Sequence, residues 1–213
     1  MDASNRVVEV GKRYDNLDNC PINSTCTITM EVTEKMSKPV YMYYRMTDYY
    51  QNHRRYVKSR NDAQLRGEPP TSYSALEDCD PVRSLDGSKN PQDFYLPCGL
   101  IAWSVFNDTF SMTKDNTTIP LRKNGIAWES DSDKKFKNPP ADAKGIRVIQ
   151  DFEDEDFIVW MRTAGLPNFK KLYRIIDQDI TPGTYQIQIQ NSKYNLFIKL
   201  FFFKILFNII LYY

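Results

Sequence analysis

The segment 40–67 holds the side chains whose types and spacing could do the most specific chemistry. Thr47 and Asp48 could cap an α-helix there, and Gln51 stands where it would close a capping box. Such a helix would separate a basic stripe from an aromatic face. The stripe would consist of Gln51, Arg54, Arg55 and Lys58, and the opposite face of Tyr49, His53 and Tyr56.

A basic stripe of this kind can bind carboxylates or phosphates, because Arg and Lys form charge-assisted hydrogen bonds with both groups. We therefore predict Arg54, Arg55 and Lys58 as a partner-binding face. The alternative is a solvated face, or one that is salt-bridged within the protein. The nearby acidic candidates for such bridges are Asp48, Asp62 and Glu68.

The chain has four cysteines without a CxxC pair, which disfavours a zinc site and permits two disulfides. Proximity in sequence favours pairing Cys20 with Cys26 and Cys79 with Cys98. The second bridge would close a loop of about 20 residues and stabilise the fold by roughly 3 kcal/mol. The alternative is four free buried thiols in a cytosolic protein.

Three sequences fit the acceptor pattern for N-linked glycosylation, with the acceptors Asn23, Asn107 and Asn116. Each lies in a polar, turn-like stretch. Together with the paired cysteines, they favour an exported glycoprotein domain. We predict all three as glycosylation sites.

Overall charge and motif content exclude several classes of protein. The 28 basic and 27 acidic side chains leave a net charge of +1, so no global field attracts nucleic acid or an anionic membrane. His53 is the only histidine, which excludes a multi-histidine metal site, and no phosphate-binding glycine loop or nucleophile elbow is present. We predict no enzyme activity, no cofactor and no metal. The remaining catalytic alternative is a hydrolase using Asp154, Glu155 and Asp156.

The elements that would position these residues are mostly strands. Alternating apolar residues predict strands at 27–32, 40–46 and 185–189, of which the first two could pair. Segment 67–97 is rich in Pro, Ser, Gly and Asp and predicts an exposed loop that ends at Cys98. The pattern predicts a mainly β fold of the α+β type with about two short helices.

Two apolar runs between residues 157 and 176 do not alternate as the predicted strands do. Phe157–Met161 lacks alternation and predicts a buried strand. Apolar residues at i, i+3, i+4 and i+7 over Phe169–Ile176 predict a helix, with Lys170, Lys171 and Arg174 facing away from the core. The tryptophans are expected to anchor the core, although one exposed indole would suit an interface. They are Trp103, Trp128 and Trp160.

Four blocks of this sequence resemble the signature blocks of the cell division control protein 50 family, also called the transmembrane protein 30 family or, in plants, the ALA-interacting subunits. The blocks occur in the family's order, and the resemblance spans residues 6–194. They are YYQNHRRYVKSRNDAQLRG at 49–67, PCGLIAWSVFNDTF at 97–110, GIAWESD at 125–131 and DFIVWMRTAGLPNFKKLYRII at 156–176.

The resemblance implies a non-catalytic β-subunit of a type IV P-type ATPase, a flippase that moves phospholipids from the exoplasmic to the cytosolic leaflet. Such subunits carry two transmembrane helices around a glycosylated, disulfide-bonded exoplasmic domain, here expected to be an antiparallel β-sandwich-like domain with long loops. They are needed for the ATPase to leave the endoplasmic reticulum and to work. The implied partner is the ATPase, with phospholipid contacted indirectly and no nucleic acid.

The resemblance also assigns individual residues and a location. Cys20 with Cys26, and Cys79 with Cys98, match positions of family bridges, and Asn107 matches a family glycosylation position. An additional cysteine pair of many relatives is missing here. The implied location is a membrane of the secretory pathway, in the endoplasmic reticulum, Golgi or plasma membrane, with this domain on the lumenal or extracellular side.

The two ends of the chain depart from the family pattern. We expect residues 1–195 to be the exoplasmic domain, with the first membrane helix missing upstream as in a truncated gene model. Residues 196–213 form an apolar tail in which Lys199 and Lys204 would each cost about 2.5 to 3.5 kcal/mol near a bilayer centre. The tail is therefore a poor membrane span. One other interpretation is that the tail binds at the membrane surface as an amphipathic segment. Another is that it is the translation of a retained intron of an A/T-rich genome.

Two alternatives to the flippase subunit stay open from sequence. One is a freestanding secreted glycoprotein or carbohydrate-binding domain. The other is a non-functional truncated gene product that stays in the cytosol as a fragment.

Overall fold

The computed structural model describes residues 8–15, 20–192 and 206–212. The strands of these residues are β1 (Glu9–Arg13), β2 (Ser24–Val32), β3 (Val40–Thr47), β4 (Tyr95–Leu96), β5 (Thr109–Lys114), β6 (Thr117–Thr118), β7 (Ile146–Arg147), β8 (Phe169–Ile176), β9 (Gly183–Asn191) and β10 (Leu206–Tyr212). The α-helices are α1 (Arg54–Lys58), α2 (Asp62–Leu65), α3 (Leu100–Trp103), α4 (Glu129–Lys135) and α5 (Glu155–Met161), and short 3₁₀-helices span Tyr73–Cys79, Leu85–Gly87 and Pro91–Asp93.

Two four-stranded antiparallel sheets form the body of the protein. The first sheet has the order β1-β10-β3-β8 and the second has the order β2-β9-β5-β6, while β4 and β7 form a separate parallel pair. The predicted strands at 27–32, 40–46 and 185–189 are confirmed by β2, β3 and β9. The predicted pairing of the first two is wrong, because β2 and β3 lie in different sheets.

Alternation along each strand places one face of each sheet in a common core. In β2 the residues Cys26, Ile28 and Met30 are buried between exposed threonines. Across the two sheets, the ring of Phe110 on β5 lies 5.0 Å from that of Tyr173 on β8 in an edge-on contact. The mainly β, α+β fold class is confirmed, although the described residues contain more short helices than the two that we expected.

The predictions for segments 157–161 and 169–176 are both wrong. The first segment lies in helix α5, which the Asp154 side chain caps by accepting from the Asp156 N–H. Since α5 is buried on most sides, its sequence lacks helical periodicity. The second segment is strand β8, which pairs with β3. A buried lysine, Lys171, occupies a position where the alternation of a strand would lead one to expect an apolar residue.

The predicted helix from Thr47 is also wrong in its extent. Strand β3 runs through Thr47, and Asp48 follows in the left-handed region with a φ of 58°. Helix α1 begins only at Arg54, with His53 at its N-cap position, and contains five residues. The chain thus changes direction where the capping box was predicted.

Both expected disulfides are present. Cys20 pairs with Cys26 at a Cα–Cα distance of 5.2 Å, and Cys79 pairs with Cys98 at 5.6 Å. The second bridge lies in a small core of its own, built by residues within and just after segment 67–97. That core consists of Leu76, Cys79, Phe94 and Cys98.

The predicted tail, 196–213, is described in part. Strand β10 pairs antiparallel with β1 on one side and with β3 on the other. Residues 196–205 and 213 lie outside the described residues, and the domain boundary at residue 195 stays a prediction. Within the described ranges, no helix is both long enough and apolar enough to cross a membrane.

Candidate functional site

Segment 48–58 is anchored to the core by two tyrosines. Tyr49 and Tyr56 are buried, and their hydroxyl oxygens lie 3.2 Å apart. The hydroxyl of Tyr56 also lies 2.6 Å from the Ser104 Oγ, and the Tyr49 ring meets the Trp160 ring edge-on at 5.7 Å. Burial raises the pKa of Tyr49 and of Tyr56 above the usual value. Both phenols therefore stay neutral and act as hydrogen-bonding anchors.

The opposite side of this segment is basic and exposed. Arg54, Arg55 and Lys58 are exposed, and none of the three forms a salt bridge to any residue that the structure describes. Two of the nearby carboxylates have other partners: Asp62 pairs with Arg60 at 3.0 Å and Glu68 with Arg66 at 3.5 Å. The three cations are therefore open to solvent and to a partner.

Gln51 does not belong to this exposed basic side, although the sequence predicted it there. Its side chain is fully buried, and its Oε1 accepts a hydrogen bond from the Ala164 N–H at 2.9 Å. His53, predicted on the aromatic face, is exposed. Both differences follow from the late start of α1, since the residues before Arg54 are not helical.

The loop between α5 and β8 docks against segment 48–58 through several hydrogen bonds. Besides the Ala164 contact, the Asn52 Nδ2 donates to the Gly165 carbonyl at 3.1 Å. The Tyr49 N–H donates to the Pro167 carbonyl at 3.0 Å, and the Asp48 N–H donates to the Asn168 Oδ1 at 3.0 Å. These contacts fix the loop against residues 48–52, the first part of the segment.

Large apolar side chains remain exposed on this assembly. Leu166 is 70% exposed, Tyr50 48% and Val57 39%. We call residues 50–58 together with Gly165 and Leu166 the platform. It combines three cations that form no salt bridge to a described residue with three exposed apolar side chains, on a backbone that is held by the core.

A further residue, Lys171, supports the platform, and the sequence did not assign it this role. Lys171 is buried, and its Nζ donates to the carbonyls of Val159 at 2.9 Å, Trp160 at 2.8 Å and Arg162 at 2.6 Å, so it caps the C-terminal end of α5. Burial, together with Arg162, lowers the pKa of Lys171 to about 7. The expectation that Lys171 faces away from the core is wrong.

Trp128 lies beside the start of the same loop. The guanidinium of Arg162 stacks over its indole at 4.6 Å and also binds the buried Asp131 at 3.2 Å. Trp160 is fully buried, as expected of a core anchor, whereas Trp128 is 65% exposed. Trp128 therefore matches the alternative role of an exposed indole that suits an interface.

The other predicted site residues lie apart from the platform. Asn23 precedes β2, Asn107 precedes β5, and Asn116 lies between β5 and β6; all three are exposed. Their positions are accessible to a modifying enzyme, and their glycosylation stays a prediction.

The acidic cluster proposed for a hydrolase is engaged in structural contacts. Asp154 binds Lys123 at 2.7 Å, and Asp156 binds Arg174 at 2.6 Å. Glu155 accepts from the backbone N–H groups of Gly125 and Ala127. Among the described residues, no group of three or more His, Cys, Asp or Glu side chains is arranged to hold a metal ion.

Comparison with known proteins identifies relatives over nearly the whole chain. The model of the LEM3 (ligand-effect modulator 3) family / CDC50 family matches residues 2–198. ALA-interacting subunit 3 of Arabidopsis thaliana is 39% identical over 92% of this chain and 61% of its own length. Cell cycle control protein 50A of Bos taurus is 38% identical over 88% of this chain and 62% of its own length.

The matches therefore cover nearly all of this chain but only part of each relative. The chain spans about three fifths of the length of these curated relatives. All four sequence blocks of the resemblance lie within the matched residues.

Proposed function

The chain belongs to the LEM3/CDC50 family, and we propose that it is the exoplasmic domain of a non-catalytic accessory subunit of a type IV P-type ATPase. In this role it binds the ATPase and is needed for the folding of that enzyme, its exit from the endoplasmic reticulum and its phospholipid translocation. Phospholipid is contacted indirectly, through the ATPase. The names of the Arabidopsis thaliana relatives, ALA-interacting subunits, support a protein partner.

The observation that carries the proposal is the division of segment 48–58 into two faces. Tyr49 and Tyr56 bind the core, while Arg54, Arg55 and Lys58 project from the other side without a salt bridge to the described residues. The fold itself does not require three cations on one short segment with no ion-pair partner in the part of the chain that the structure describes. Their chemistry suits acidic side chains on exoplasmic loops of the ATPase.

The exoplasmic side of a secretory-pathway membrane is the proposed location. Two disulfides and three exposed acceptor asparagines support it, since disulfides persist in oxidising compartments. The endoplasmic reticulum, the Golgi and the plasma membrane all meet this condition.

Coprecipitation with an ATPase tests the proposal. The chain is coexpressed with a type IV P-type ATPase of the same organism, solubilised in mild detergent and captured through a tag. We expect the ATPase to be recovered with the wild-type chain, and recovery to fall with Arg54→Glu combined with Arg55→Glu. Absence of the ATPase from the wild-type capture would contradict the proposal.

The matched control reverses two exposed basic residues elsewhere, with Lys89→Glu and Lys144→Glu. This control changes the net charge equally and should leave recovery unchanged. Disulfide formation is measured in both variants, so that loss of the fold is distinguished from loss of the contact.

A further inference from the structure

The platform contains apolar side chains that the fold exposes rather than buries. Leu166, at the tip of the loop between α5 and β8, is the most exposed large apolar residue among those described. The carbonyls of its neighbours Gly165 and Pro167 accept hydrogen bonds from the Asn52 side chain and from the Tyr49 N–H. The loop thus presents an apolar side chain to solvent from a backbone whose position is fixed.

A fixed backbone lowers the entropy that binding must remove. Hydrogen bonds between segment 48–52 and the loop hold Leu166 in place from one side. From the other side, Lys171 binds the Arg162 carbonyl at 2.6 Å, which fixes the start of the loop. An exposed leucine on a braced loop is suited to insertion into a pocket of a partner.

The three cations lie on the same short segment as two other exposed apolar residues. Val57 stands in α1 between Arg54 and Lys58, and Tyr50 lies two residues before Asn52, which binds the loop. A small apolar centre with charged residues near it is the usual anatomy of a protein interface. Since the charges are all positive and unpaired among the described residues, the complementary surface is acidic.

We infer that Leu166, together with Tyr50 and Val57, forms the apolar centre of the contact with the partner, and that Arg54, Arg55 and Lys58 pair with acidic side chains around it. The occupant is a protein surface with an apolar pocket bordered by Asp or Glu. The identity of this partner rests on the proposed function, which makes it the ATPase.

The test replaces Leu166 by aspartate in the full chain, coexpressed with the ATPase as above. The central residue of an interface carries much of the binding energy, so ATPase recovery should fall by at least about tenfold. The matched control is Leu85→Asp, because Leu85 is 46% exposed in a 3₁₀-helix outside the platform. Recovery with Leu85→Asp should equal that of the wild type.

Leu166→Ala serves as a second variant, because it removes the side chain without placing a charge in the loop. We expect ATPase recovery between that of the wild type and that of Leu166→Asp. Disulfide formation and glycosylation should be the same as in the wild type. Equal recovery with wild type, Leu166→Asp and Leu166→Ala would overturn the inference while leaving the proposed function intact. No recovery with the wild type would instead reject the proposed function and, with it, the ATPase as occupant.

Vesicle cosedimentation distinguishes a lipid surface from a protein as the occupant of the platform. The wild-type chain and Leu166→Asp are mixed with vesicles of phosphatidylcholine and phosphatidylserine. We expect no difference in sedimentation between them. Loss of vesicle binding in Leu166→Asp, with unchanged ATPase recovery, would assign Leu166 to the membrane and overturn the inference.

Discussion

On the outer face of the second sheet, three adjacent strands present uncharged polar side chains in register. The face consists of Thr25, Thr27 and Thr29 on β2, Gln186, Gln188 and Gln190 on β9, and Thr109, Ser111 and Thr113 on β5. The platform is also exposed, yet it combines cations with apolar side chains. Two surfaces of one protein, both open to solvent, therefore have contrasting chemistry.

The predicted glycosylation sites extend this contrast. Asn23 and Asn107 stand at the starts of β2 and β5, which lie on either side of the end of β9, and Asn116 lies in the turn that follows β5. Glycans at these positions would border the polar sheet face, whereas none of the three lies in the platform. Exposure is common to both surfaces, so the proposed interface rests on what the platform has in addition: cations that pair with no described residue, beside an apolar side chain on a braced loop.

The largest effect should come where the platform joins the core. Tyr56→Ala removes a buried ring and its hydrogen bonds to Tyr49 and Ser104. We expect the free energy of unfolding to fall by about 3–5 kcal/mol. Chemical denaturation of the purified chain measures it. Tyr50→Ala is the control; a loss as large as that of Tyr56→Ala would show that the two faces of the segment are not distinct.

A smaller effect on the free energy of unfolding should come from the ionisation of Lys171, the buried lysine that caps α5. Its pKa of about 7 in the folded protein lies below the ordinary value of 10.5, so between these pH values the unfolded chain binds more protons at Lys171. The free energy of unfolding should therefore rise as pH increases from about 7 toward 10.5, by about 1.4 kcal/mol per pH unit, and this contribution is lost as pH falls back to 7.

The variant Lys171→Met isolates this contribution. Arg162 is the charged neighbour that acts with burial to lower the pKa of Lys171, and it stays charged over the whole range. The rise between pH 7 and pH 9 should be absent in the variant. An unchanged pH dependence in Lys171→Met would show that the lysine is not the titrating group.

The smallest effect should come from the polar sheet face. Gln188→Glu places one negative charge at the centre of that face, as Leu166→Asp does in the platform. We expect a change of at most about 0.5 kcal/mol in the free energy of unfolding and no change in ATPase recovery. If Gln188→Glu reduced ATPase recovery as much as Leu166→Asp does, the interface would lie on the polar sheet face and not on the platform.

Sequence patterns predicted the parts of this molecule that depend on local alternation. Strands β3 and β9 alternate cleanly, and both were located. Strand β8 was mistaken for a helix because Lys171 is buried there by contacts with α5, which the sequence does not display. Helix α5 was mistaken for a strand because it is buried on most sides and has lost its periodicity.

The candidate site was predicted in part for a similar reason. Side-chain type was enough to separate Tyr56 from Arg54 and Arg55, although the helix is shorter than expected. Leu166 was given no role, because it lies between the apolar runs at 157–161 and 169–176 and belongs to neither. Its position between Gly165 and Pro167, both turn formers, was the signal that could have identified an exposed loop tip.

Site-specific photocrosslinking tests the central claim most directly. A photoreactive phenylalanine analogue replaces Leu166 in one coexpressed chain and Ser111, on the polar sheet face, in another. We predict a covalent adduct with the ATPase from position 166 and none from position 111. An adduct from position 111 with none from position 166 would contradict the claim that the platform is the surface that binds the partner.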